Sequence, residues 1–154
     1  RLNNLAMLLK KMGRFEEAEP LARRALTIDV QSLGAEHPSV ARDLSNLGSL
    51  LTETNRPAEA EPLIRRALEI DEHSYGATHP NVAIRLNNLA LLLKGSNRLA
   101  EAEPHMRRAV EIFKSRLGQD HPFSKVVANN YRWLLEEMNQ SPVEIEEKLR
   151  DVTP

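Results

Sequence analysis

Residues 44–67 read LSNLGSLLTETNRPAEAEPLIRRA. Leu44, Leu47, Gly48 and Leu51 follow the i, i+3, i+4, i+7 spacing of an amphipathic helix, and Ala60, Ile64 and Ala67 take up a helical spacing again beyond a break at Asn55. Two apolar stripes separated by a short turn predict an antiparallel helical hairpin. The stretch is not alone. LNNLA occupies the same register 42 residues earlier, at 2–6, and 42 residues later, at 86–90. Pro20, Pro62 and Pro104 keep the interval, as do His37-Pro38, His79-Pro80 and His121-Pro122, and a damaged fourth copy shows Asn130-Tyr131. A fixed period of this length marks a stacked repeat architecture, in which each unit buries its apolar face on its neighbours. The product is an extended surface rather than an enclosed pocket, so binding is favoured over catalysis.

The borders of each unit are also legible. Gly13 and Asn55 end first helices, and Gly34, Gly76 and Gly118 are expected to close second helices with a left-handed cap. Pro38, Pro80 and Pro122 fall at the first helical position, where a missing N–H costs nothing. Pro20, Pro62 and Pro104 lie inside second helices, where each removes a hydrogen bond and should bend the helix. Small residues at Ala6, Gly48 and Ala90, facing Ala18, Ala60 and Ala102, allow a close approach of the two helices. Bulk at Gly48 should overpack that contact, whereas alanine there is expected to be mild or even stabilising, since alanine favours helix and repeats one and three already carry it.

Composition bounds the function classes. The chain has 154 residues, enough for about three and a half repeats, and a net charge of −1, so no global field draws it to nucleic acid or to an anionic membrane. Trp133 is the only tryptophan, which leaves little for base stacking. There is no cysteine, excluding disulfides and thiolate metal sites and suiting a cytoplasmic location. No apolar run reaches the roughly 20 residues of a membrane span. The chain opens inside a helical pattern at Arg1, which reads as an excised piece of a longer protein.

The motif Leu44-x2-Leu47-Gly48-x2-Leu51…Ala60-x3-Ile64-x2-Ala67 resembles the tetratricopeptide repeat. It departs from the common pattern in using leucine for aromatics, in the small Ala22, and in a longer second helix. That long form, with LNNLA, EAEPL, RRAL and LG..HP, looks like the 42-residue subtype of kinesin light chains and many bacterial repeat proteins. The resemblance covers residues 1 to about 138. It implies an all-α, right-handed superhelix of antiparallel helical hairpins, an α-solenoid. The expected organisation is three full repeats plus the first helix of a fourth over residues 1–139, then a capping helix and tail over 140–154. Arg132 stands where Ala6, Gly48 and Ala90 were small, and Ser141-Pro142-Val143-Glu144 starts a helix with a capping box. Glu144 falls in the register of Ala18, so this helix should not pack as the earlier second helices do.

Chemistry-bearing groups reduce to structural roles. Single histidines about 10 Å apart cannot share a zinc ion, which takes its ligands at about 2 Å. Glu19, Glu61 and Glu103 stand four residues before Arg23, Arg65 and Arg107, the favourable order for helix ion pairs. No catalytic constellation or phosphate loop is present, and neither an enzyme nor a cofactor or metal is expected.

The asparagines Asn4, Asn46, Asn88 and Asn130 recur opposite the leucine stripe, on the expected concave face, although asparagine is a mediocre helix former. An amide can donate and accept at once, matching a peptide backbone; the competing reading is an asparagine ladder that holds adjacent helices in register. Around them lie Met7, Lys11, Arg42, Ser49, Leu91 and Trp133, flanked by Lys10 and Lys94 and edged by Arg1 and Arg85. Trp133 suits either a groove anchor or a position beneath the terminal helix. The expected function is a protein-interaction module that binds an extended, acidic peptide segment with an apolar anchor, as a monomer or weak homodimer, with no nucleic acid or membrane partner. The alternative is a structural or self-association segment of a larger regulator.

Overall fold

Residues 2–152 of the computed structural model fold into eight α-helices. First helices α1 (Leu2–Lys11), α3 (Pro38–Glu53), α5 (Pro80–Gly95) and α7 (Pro122–Glu137) alternate with second helices α2 (Phe15–Leu33), α4 (Pro57–Tyr75), α6 (Leu99–Leu117) and α8 (Pro142–Asp151). Among the described residues there is no strand. Arg1, expected at the groove edge, and residues 153–154 of the tail lie outside the described residues. The chain divides into two compact units, Arg1–Ser74 and Tyr75–Pro154.

Each first helix ends the same way. Asn55, Asn97 and Asn139 adopt φ of 57–59°, and Gly13 sits at 73° in the equivalent place. The next residue folds back, so that Arg14 N donates to Leu9 O, Arg56 N to Leu51 O, Arg98 N to Leu93 O and Gln140 N to Leu135 O. This 6→1 bond is the Schellman closure. Second helices end differently from the expected left-handed cap. Gly34 and Gly118 combine φ of 88° and 85° with ψ of 155° and 157°, an extended conformation open essentially to glycine alone. All three long second helices run unbroken through Pro20, Pro62 and Pro104.

In the first unit, Leu9, Ala18 and Leu50 cluster with Phe15 and Leu21, while Val40, Ala41, Leu44, Ala67 and Ile70 cluster with Leu26 and Leu63. Helix α3 is therefore packed from both sides, and Leu44, Leu47, Gly48, Leu50 and Leu51 are all buried. Helix α1 packs through Asn3, Ala6 and Leu9, and its Leu5 is 46% exposed. That corrects the expected stripe: Leu5 has the register of buried Leu47, but no helix of the unit covers its side of α1. In the second unit α5, α6 and α7 bury Leu86, Leu89, Leu92, Leu93, Met106, Phe113, Tyr131, Leu134 and Leu135. Helix α8 closes this unit with Ile145, Leu149 and Val152 buried.

Candidate functional site

The face of α1 and α3 that carries the asparagines in the first unit is laced by side-chain bonds. Asn46 Nδ2 donates to Asn3 Oδ1 at 3.1 Å, and Asn3 Nδ2 donates to Asp43 Oδ1 at 2.7 Å. One turn or two further along, Lys10 Nζ bonds Ser49 Oγ at 2.6 Å and pairs with Glu53 at 2.8 Å. Arg42 lies across Asp43 and Asp29, at 3.1 and 3.3 Å. Asn4 and Lys11 are exposed, and Met7 and Ser49 are half-buried.

The second unit repeats two of these contacts. Asn130 Nδ2 donates to Asn87 Oδ1 at 2.9 Å, and Lys94 Nζ meets Glu137 Oε1 at 2.5 Å. In both units the partners are 43 residues apart, one more than the repeat. A helix advances 100° per residue, so this extra residue is the rotation that brings side chains of neighbouring first helices to face each other. Flanking the Asn87–Asn130 bridge, Val126 lies one turn before Asn130 and Trp133 one turn after it, with Leu91 one turn after Asn87. These three are 55%, 56% and 39% exposed. Trp133 is therefore not beneath the terminal helix.

The expected site residues Asn4, Met7, Lys11, Arg42, Asn46 and Ser49 are exposed or half-buried on the first helices of the first unit, and Asn88, Leu91, Lys94, Asn130 and Trp133 on those of the second. Arg85 is the exception. It is 7% exposed and presents no open edge. Asn88 is half-buried and already engaged. Reading the sequence by the second asparagine of each doublet missed the first: Asn3 and Asn87 are the acceptors that complete the bridges. The doublet LNNLA itself was the available signal.

Charges on this face are largely committed. Lys10, Lys94 and Arg42 hold carboxylates of their own unit, leaving Lys11 as the exposed lysine of the set. Asp43 is 1% exposed, and burial pushes its carboxyl above the ordinary value; Arg42 opposes the shift and Asp29 adds to it. Its Oδ2 has no hydrogen-bond partner among the described residues. At the far end of the hairpin, burial alone would raise Glu19, but Arg23 and Arg56 outweigh it and hold the carboxyl below its ordinary value. In the second unit Tyr131 takes the Leu47 register, is fully buried, and donates its hydroxyl to Glu103 Oε1 at 2.6 Å. Burial, and then Glu103, push its phenol up.

Among the described residues, no group of three or more His, Asp or Glu could hold a metal ion, and no helix is long and apolar enough to cross a membrane. No curated protein matches the chain. Solved structures do. One is a Podosopora anserina protein designated a putative kinesin light chain, with nearly identical TPR-like repeats: TM-score 0.86 at 22% identity, covering 98% of this chain and 71% of that one. A substituted form of that same protein gives 0.85 at the same identity and coverage. BtubC (BKLC) from P. vanneervenii gives 0.80 at 27% identity, covering 98% of this chain and 59% of that chain. The shared fold is an α-solenoid of helical hairpins. A tetratricopeptide repeat model also matches residues 2–73 and 56–115, the stretch in which the hairpins and their recurring spacing lie. With both sequence pattern and fold in agreement, the chain belongs to the tetratricopeptide repeat family.

Proposed function

We propose that this tetratricopeptide repeat protein binds an extended peptide segment of a partner protein on the first-helix faces. Repeats of this family are protein-interaction modules. The observation that carries the finer reading is the row of exposed apolar side chains, Leu91, Val126 and Trp133, beside polar bridges. A large aromatic held on a helix and open to solvent suits a binding anchor. The side-chain carbonyls of Asn46 and Asn130, each of which spends one amide N–H in a bridge, suit backbone N–H groups of a strand. An acidic residue of the ligand would meet Lys11, or displace Glu53 from Lys10. A cytoplasmic setting belongs to the same proposal.

Trp133 is the only tryptophan, so its emission reports directly on this face. Peptides selected on an array against the chain are titrated by fluorescence. Those that bind should carry an apolar residue next to acidic ones, shift the Trp133 emission to the blue, and lose roughly tenfold or more in affinity with Trp133→Ala. Array binders that ignore both Trp133→Ala and Leu91→Ala would show that the peptide lies elsewhere.

A second reading, self-association, is favoured by one observation: Leu5, Leu8 and Met12 form an exposed apolar face on α1. Sedimentation equilibrium distinguishes the two. A monomer that binds peptide supports the first, and a dimer disrupted by Leu8→Glu supports the second.

A further inference from the structure

Helices α3, α5 and α7 share an N-cap that is rarely histidine. His37, His79 and His121 hold extended backbone conformations, and Nδ1 of each accepts a backbone N–H two residues on: Ser39 at 3.1 Å, Asn81 at 3.1 Å and Phe123 at 3.2 Å. Proline at the intervening position has no N–H, so the imidazole takes the first donor the helix offers. Serine, threonine, asparagine and aspartate are the usual N-caps. Histidine does the same work only while its Nδ1 keeps a lone pair. The imidazolium has two N–H groups and no acceptor, and it sets a positive charge against the positive end of the helix dipole.

We propose that the three histidine caps form a proton-sensitive latch, releasing the N-termini of α3, α5 and α7 when the imidazoles take up a proton and lose the Nδ1 acceptor. These are the helices that carry Asn46, Leu91 and Trp133, so acidification loosens the face that holds them.

The surroundings grade the three caps. Glu36, next to His37, is ion-paired with Arg66 of α4, and no aromatic ring packs on His37 among the described residues. His79 stacks on Tyr75 with centroids 4.5 Å apart, in a loop held by Arg108 on Ala77 O and Arg116 on Thr78. His121 tilts over Phe123 at 5.5 Å, and Asp120 beside it pairs with Lys125 at 3.4 Å. Tyr75 and Phe123 therefore hold the rings of His79 and His121 by packing as well as by the cap bond. His37 is held by the cap bond without such a ring among the described residues.

The test compares the parent chain with His37→Asn/His79→Asn/His121→Asn, in which each asparagine can cap the same N–H without titrating. Melting temperatures are measured at pH 7.5 and 5.5. The parent should lose roughly 5–10 °C over this interval, and the triple variant less than half as much. His73 and His105 are common to both proteins, so the difference isolates the caps. Equal losses overturn the proposal. Should the variant fail to fold at pH 7.5, amide hydrogen exchange in the parent decides. Protection at Ser39, Asn81 and Phe123 must fall on acidification relative to mid-helix amides; unchanged relative protection overturns it.

Discussion

At Gly48 a side chain would collide with its partner helix. An added Cβ would lie 2.6 Å from Ile64 Cγ1, 3.2 Å from its Cδ1 and 3.3 Å from the Ala60 carbonyl. The expectation that alanine is mild there therefore needs revision. Position and partner vary together along the chain: Gly48 with Ile64, Ala6 with Ala22, Ala90 with Met106, each pair in the same register. Ile64 is β-branched and cannot swing its Cγ atoms away, whereas Met106 is unbranched and adaptable. Gly48→Ala gains about 1 kcal/mol in helix propensity against an overpacking penalty of about 1–3 kcal/mol. We expect a net drop in melting temperature, recovered by adding Ile64→Met. A Gly48→Ala chain melting above the parent would show that Ile64 relaxes freely. The small position was legible in the sequence because glycine inside a helical stripe is conspicuous. Its dependence on Ile64 was not, because that lies in a distance between two helices. The asparagine bridges were half legible for the same reason: recurrence marked the residues, but only the 43-residue offset tells which asparagine meets which.

Among the elements, α8 differs most from its predecessors. Its buried residues Ile145, Leu149 and Val152 have the spacing of Ala18, Ala22 and Ala25, but fall one residue later in the 42-residue register. One residue is a 100° turn of the helix, so α8 offers a rotated face, with aliphatic side chains in place of alanines. Arg132 takes part in the change by pairing with Glu146 at the surface. Lys114 completes it: Nζ donates to Leu149 O at 2.7 Å, satisfying a carbonyl in the last turn of α8. Burial depresses the Lys114 ammonium. Lys114→Ala should cost about 1–2 kcal/mol at this contact and appear as faster amide exchange confined to residues 145–152. Unaltered exchange there would mean that Ile145 and Leu149 alone hold the helix. The capping box of α8 was readable in SPVE, and Ser141 and Glu144 do exchange both bonds. The lysine was not, since its partner is a backbone carbonyl 35 residues away.

For the whole molecule, the response to acid combines groups of both signs. Glu17, Glu19, Glu59 and Glu144 are all held below the ordinary carboxylate value by hydrogen bonds and charges that outweigh desolvation. A carboxylate depressed in the folded chain adds stability that is fully present above its unfolded value and lost as the pH falls through its folded value. Asp43, raised by burial, runs the other way, and its unfavourable ionisation is relieved on acidification. The depressed set is the larger, so stability should fall below about pH 4.3. Arg56 serves both Glu19 and Glu59, at 2.7 Å each. Arg56→Gln should lower the melting temperature at pH 7 and converge on the parent as the pH falls through the lowered values of Glu19 and Glu59; a gap that stays constant with pH would assign Arg56 a packing role instead.

The bridges between first helices also bear on how such a chain can change length. Asn3–Asn46 and Lys10–Glu53 in one unit are matched, 84 residues on, by Asn87–Asn130 and Lys94–Glu137 in the other. The second repeat departs from this, with Ser45 and Thr52 where the first and third carry asparagine and lysine. A tandem duplication or loss of a single 42-residue block would therefore set unlike rungs against each other. A block of 84 residues would restore the Asn–Asn and Lys–Glu bridges. The couplet of two hairpins, not the single hairpin, is thus the length by which this sequence can grow or shrink and still keep these bridges in register.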